Sequence, residues 1–115
     1  RALAEAVSDG TLKLDRLQRL DDDGVRAELT RLVGIGNWTA DIYLLEALGR
    51  PDILPVGDLA LQVATEKIKR LNSRPNPMLL AEIGEAWRPW RAVATRILWH
   101  YYLNAVRKST QTSFP

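Results

Sequence analysis

The sequence predicts an all-α fold, and three observations carry that prediction. Apolar residues recur at spacings of three and four; short breakers of Gly, Pro, Asn and Asp interrupt them at helix-length intervals; and no segment sustains the apolar–polar alternation of a half-buried strand. With 115 residues, 46% of them apolar and 26% charged, the chain has the composition of one compact soluble domain. It has no Cys and a single His, which excludes disulfide scaffolds, Cys-ligated zinc and iron–sulfur clusters and argues against a His-based metal site. No apolar run approaches the roughly 20 residues that span a bilayer, and no secretory leader pattern stands at the front. The first residue is Arg, so a natural start is expected upstream.

Residues 1–8 are Ala- and Leu-rich and stop at Asp9-Gly10, a helix terminator. Leu14, Leu17 and Leu20 suit a short helix on a core. The run Asp21-Asp22-Asp23 precedes Val25, Leu29 and Leu32, where carboxylates cap a helix and favour its positive end; it is read as a cap and not as a metal site. After Leu32-Val33 comes Gly34-Ile35-Gly36-Asn37-Trp38-Thr39-Ala40, with a helix following at once through Ile42, Leu44, Leu45 and Leu48 to Gly49. Pro51 and Pro55 fence a loop that ends at Gly57-Asp58, and helix signals resume with Leu59, Leu61, Val63 and Ile68. Asn76-Pro77 starts another helix, Asn as N-cap and Pro at the first position, which carries Leu79, Leu80, Ile83 and Trp87. Pro89 is expected to open the last and longest helix, with Val93, Ile97, Leu98, Tyr101 and Val106 on its apolar face. A polar tail follows Lys108.

Two glycines around one apolar residue make a tight helix–helix turn, because Gly tolerates positive φ. The same absence of side chains lets a phosphate reach the backbone N–H groups, and a helix starting near Asn37 adds its own N–H groups and dipole. Ile35 pins the turn to the core. On these residues alone, a plain structural turn and a phosphate site are both open.

The full string Gly-Ile-Gly-Asn-Trp-Thr-Ala, with the loop Leu54-Pro55-Val56-Gly57-Asp58 following it, resembles the helix-hairpin-helix superfamily of DNA glycosylases, in the branch of the DNA-3-methyladenine glycosylase II type. The resemblance runs over residues 1–108 and implies the C-terminal part of such a helical domain, lacking the upstream helices and the loop that wedges into the duplex; 109–115 are a tail. It implies that Gly34, Ile35, Gly36 and Thr39 form a DNA phosphate-binding hairpin. It also implies that main-chain carbonyls of Thr30, Leu32 and Ile35 can hold a monovalent cation, Na or K, with no other cofactor required.

Asp58 has two compatible readings: an N-cap for the following helix, and, by resemblance, the family's catalytic carboxylate. Cleaving an N-glycosidic bond builds positive charge on the deoxyribose, which a fixed anion stabilises; the same group can orient or deprotonate the attacking water. Asp41 and Asp52 are read as surface or capping residues. Bifunctional members of the superfamily carry a Lys where this chain has Trp38, and that Lys forms a Schiff base with the sugar. Trp here implies monofunctional hydrolysis by water. Trp38 and Trp99 are assigned, by resemblance, to the walls of a base pocket, where an indole face gains a cation–π contribution against an alkylated purine after the base has left the stack. Trp87 and Trp90 are read as core packing, His100 as structural or surface, and Tyr101 and Tyr102 as core and rim.

Charge is uneven: residues 1–52 hold 7 Lys/Arg against 10 Asp/Glu, and residues 53–115 hold 9 against 4. The basic half permits a polyanion partner, although solvated helix faces are the plainer account of it. The resemblance implies an intracellular, cytoplasmic enzyme acting on double-stranded DNA with alkylated bases, with no membrane partner. A non-catalytic duplex-binding module and an all-α protein-interaction domain stand as alternatives. A face left bare by absent helices would also allow self-association.

Overall fold

A computed structural model of the protein describes residues 14–32 and 34–106, so the expected helix over residues 1–8 and the polar tail lie outside the described residues. Among the described residues every regular element is helical, as the periodicity predicts. The chain divides into two compact units, Arg1–Arg50 and Pro51–Pro115.

In the first unit, α1 spans Leu14–Arg19, α2 spans Asp22–Thr30 and α3 spans Asn37–Glu46. The acidic run works as a cap: Asp21 stands at the N-cap of α2 and its Oδ1 accepts from the Gly24 N–H at 2.8 Å. Its neighbour Asp22 receives Arg50 Nη1 at 2.9 Å. Arg50 also donates through Nη2 to the carbonyl of Leu20 at 2.9 Å, so one guanidinium serves the carbonyl end of α1 and the amide end of α2. Leu17, Val25, Leu29, Ile35, Ala40, Leu44 and Leu45 are buried, in the helical spacing that puts them on facing stripes.

The second unit consists of the loop 51–58, α4 (Leu59–Lys69), α5 (Pro77–Gly84), a 3₁₀ turn at Glu85–Trp87, α6 (Arg91–Tyr101) and a π-helical turn at Tyr102–Val106. Asn76 caps α5 by accepting from the Leu79 N–H at 2.8 Å, with Pro77 in the first turn. Leu54, Leu61, Ala64, Leu80 and Leu98 form the core, and Trp87, Trp99, Tyr101 and Tyr102 pack against it partly buried. Gly84 lets Leu54 pack close, since a Cβ there would overlap Leu54 Cδ2 and force that side chain to move.

Three expectations for the last helix are corrected. Pro89 does not open it. The Trp90 N–H donates to the Trp87 carbonyl at 2.8 Å, prolonging the preceding turn, and α6 begins at Arg91 with Trp90 as its N-cap. Val93 and Ile97 are not on the buried face: they are 53% and 61% exposed, whereas Ala92, Thr95 and Leu98 are buried. Successive residues turn by about 100° around a helix, so a face centred on 92, 95 and 98 leaves 93 and 97 outward. Trp90 is likewise 62% exposed and is not core packing, unlike Trp87.

Candidate active site

The hairpin joins α2 to α3 within the first unit. Gly34 takes φ +86°, the left-handed region that favours glycine, and the Ile35 N–H closes the turn on the Leu32 carbonyl at 3.3 Å. Ile35 is buried and holds the turn to the core. Gly36 is extended, with φ −97° and ψ −176°, and serves as the N-cap of α3. No side chain caps that helix, and a Cβ on either glycine would meet open space. The first turn of α3 therefore starts beside a bare backbone surface, at the positive end of the helix. Asn37, Trp38 and Thr39 make up this first turn and are exposed, Trp38 at 49%. Of the carbonyls of Thr30, Leu32 and Ile35, that of Leu32 takes the turn bond just described. No cluster of His, Cys, Asp or Glu side chains suited to a metal ion occurs among the described residues.

Asp41 is a correction. It is neither a surface nor a capping residue but 6% exposed, with Oδ1 accepting from Arg26 Nε of α2 at 2.5 Å. Burial works against the charge of Arg26, but the hydrogen bond and charge of Asp41, assisted by Asp23 and Asp22, outweigh it and hold the guanidinium above its ordinary value.

In the second unit Asp58 stands at the N-cap of α4, 9% exposed. Its Oδ1 accepts from the Leu61 N–H at 3.0 Å and from the indole Nε1–H of Trp99 at 3.4 Å. The Asp58 N–H donates to the Pro55 carbonyl at 3.0 Å, and Gln62 Nε2 donates to the Val56 carbonyl at 2.8 Å, which fastens the Pro55–Asp58 turn to the helix it precedes. The structure thus brings together two of the residues singled out from the sequence, Asp58 and Trp99, 41 positions apart. The hairpin residues and Trp38 belong to the first unit.

Asp52 holds the other end of the loop and, as the capping reading expects, accepts from the first N–H of α6. Its carboxylate accepts from Arg91 Nε at 2.7 Å, Arg91 Nη2 at 3.1 Å and, from the first residue of α6, the Arg91 backbone N–H at 3.3 Å. Arg88 Nη1 approaches it at 3.2 Å. The hydrogen bond from the Arg91 side chain lowers the Asp52 carboxyl below its ordinary value, against the opposing effect of burial; the Arg91 N–H and the charges of Arg91 and Arg88 add to the lowering. A polar or aromatic residue at every fourth position of α6 (Arg91, Thr95, Trp99) was the signal available in the sequence for this contact.

The glycine hairpin of the first unit and the capped, indole-bonded acid of the second both stand on an all-α scaffold. Over most of its length the chain is homologous to part of the DNA-3-methyladenine glycosylases. No family model matches it. It is 30% identical over 100 residues to DNA-3-methyladenine glycosylase 1 of Schizosaccharomyces pombe, which covers 86% of this chain and 44% of that protein. It superposes with TM-score 0.82 and 30% identity on the S. pombe 3-methyladenine DNA glycosylase Mag1 solved with abasic DNA, covering 90% of this chain and 51% of that one. A DNA-3-methyladenine glycosidase from Bacillus halodurans matches with TM-score 0.78 and 32% identity, over 94% of this chain and 49% of the other. The chain spans at most about half the length of these relatives. No helix among the described residues is long and apolar enough to cross a membrane.

Proposed function

We propose that residues 1–108 are the C-terminal part of a glycosylase helical domain and that the chain hydrolyses the N-glycosidic bond of alkylated purines in duplex DNA, acting inside the cell on the chromosome. The observation that carries this reading is Asp58: a carboxylate withdrawn from solvent, fixed by a helix N-terminus, with an indole N–H on its Oδ1. As the bond to the base lengthens, positive charge grows on the sugar. An immobile anion stabilises that charge without reorganising. Water attacks the anomeric carbon, the base leaves with the bonding pair, and the water's proton passes to the carboxylate or to solvent, leaving an abasic site. The Trp99 indole beside Asp58 stacks on the flipped base; the hairpin string carries Trp38 where a Schiff-base amine would stand. The N–H groups of the Gly34–Thr39 segment take a DNA phosphate, with a monovalent cation on the carbonyls of Thr30, Leu32 and Ile35 as an accessory.

The burial of Asp58 and its use as a cap also suit a second reading, a duplex-binding module without catalysis. Base release from methylated duplex DNA separates the two. Asp58→Asn preserves a good N-cap while removing the charge, so release is expected to fall by at least about a hundredfold with duplex affinity retained. Turnover that survives in this variant refutes the catalytic assignment, and absence of release in both proteins favours the module.

A further inference from the structure

One stripe of α6 meets the whole loop that carries Asp58. Arg91 engages Asp52, Thr95 Oγ1 lies 3.1 Å from the Ile53 carbonyl, and Trp99 Nε1 reaches Asp58 Oδ1. The Ala92 N–H adds a bond to the Pro51 carbonyl at 2.9 Å. Residues 91, 95 and 99 are each one helical turn apart and so lie in a row. Along that row the loop is anchored at its start, at its second and third residues, and at its last residue.

The anchors are also graded in strength. The Asp52–Arg91 contact is charged, forked and made by both side chain and backbone, the geometry that fixes direction as well as distance. Thr95 is wholly buried, and its hydroxyl has the Arg91 carbonyl at 2.8 Å as its other neighbour. The Trp99–Asp58 bond is a neutral donor on a carboxylate at the long end of the hydrogen-bond range. A bond this long holds its two sides only weakly, so their placement rests mainly on the stronger contacts along the row.

We infer that Asp52, Arg91 and Thr95 are positioning residues for Asp58: they fix the loop along α6 so that the Trp99 indole N–H meets the Asp58 carboxylate and sets its direction. This rests on the reading of Asp58 as the reacting carboxylate, but the geometry can be read without it. The Trp99 indole 1H–15N signal, identified by its loss in Trp99→Phe, reports the bond directly, and Asp58→Ala marks its position when the bond is gone. In Asp52→Asn and Thr95→Val, the signal is expected to move toward the Asp58→Ala position. The turnover rate on methylated duplex should fall about tenfold, well within what an ångström of misplacement costs, with KM unchanged. Arg91→Lys keeps the charge without the fork and is expected to fall between the wild type and Asp52→Asn. Thr95→Val keeps the core filled and supplies the result if Asp52→Asn does not fold. An indole signal that stays at the wild-type position in the folded variants overturns the inference, as does a signal that moves with turnover unaltered. If the wild-type chain releases no base, the reading of Asp58 fails on that result alone, and the indole signal decides the positioning.

Discussion

Arg26 and Asp41, 15 residues apart and on opposite sides of the glycine hairpin, form an ion pair with Asp41 buried and Arg26 only partly exposed. The pair ties the middle of α2 to the first turns of α3, so the angle at which the chain leaves the hairpin is held from behind by charge as well as by Ile35 from within.

Removing Asp41 leaves the half-buried Arg26 with the exposed Asp23 as its remaining ion-pair partner. Asp41→Ala should destabilise the protein by about 2 kcal/mol, less than for a wholly buried pair because solvent still reaches Arg26. Replacing both residues at once, Arg26→Met with Asp41→Leu, should recover most of that loss. Urea unfolding of the single and double variants measures it; a double variant as unstable as the single would show that the apolar pair does not fit the space.

The two hairpin glycines should respond differently. Gly34→Ala forces a Cβ into a left-handed backbone and should cost about 1 kcal/mol. Gly36→Ala, at an extended residue facing open space, should cost little by comparison. Gly36→Asp makes the contrast sharper, since Asp is a good N-cap for α3 yet puts a negative charge where a phosphate is proposed to sit. Thermal unfolding should show stability kept or slightly raised, while duplex affinity at low salt falls several-fold. Equal affinity of Gly36→Asp and wild type would remove the hairpin from the DNA-facing surface.

Thr65 lies in the middle of α4 with its hydroxyl buried and without a hydrogen-bond partner. Val has nearly the same shape and no polar atom to desolvate, so Thr65→Val should stabilise the protein by about 1 kcal/mol. A shift of the urea midpoint to higher concentration with an unchanged slope is the expected outcome.

Asp52 contributes a pH dependence whose sign follows from its lowered carboxyl pKa. The charged form is favoured in the folded state, so the stabilisation is fully present above the ordinary carboxylate value of 3.8 and is lost as pH falls through the lower folded value. Asp52→Asn should therefore be less stable than wild type near pH 7, with the gap closing in strong acid. A gap that persists unchanged at the acid end would mean that the contact owes its strength to shape and not to charge. Arg26, held above an already high value, adds no such dependence in the ordinary range.

Sequence alone determined what is local. The caps at Asp21, Asp58 and Asn76 lie within three residues of the amides they serve, so residue type and spacing suffice to read them. The all-α class follows from the same short-range periodicity, and the glycine hairpin with the Pro55–Asp58 loop was enough to point to the glycosylases. What the sequence could not settle is long-range. Asp41 and Asp52 look alike along the chain, yet one is buried against Arg26 and the other clasps Arg91 across 39 positions. The faces of α6 were misread because Val93 and Ile97 obey helical spacing as well as Ala92 and Leu98 do; which stripe is buried depends on where the core of α4 and Leu54 lies. The meeting of Trp99 with Asp58 likewise depends on a loop laid along one row of a helix, and only tertiary packing fixes that placement, because contacts between distant residues answer to the shape of the whole unit and not to their neighbours in the chain.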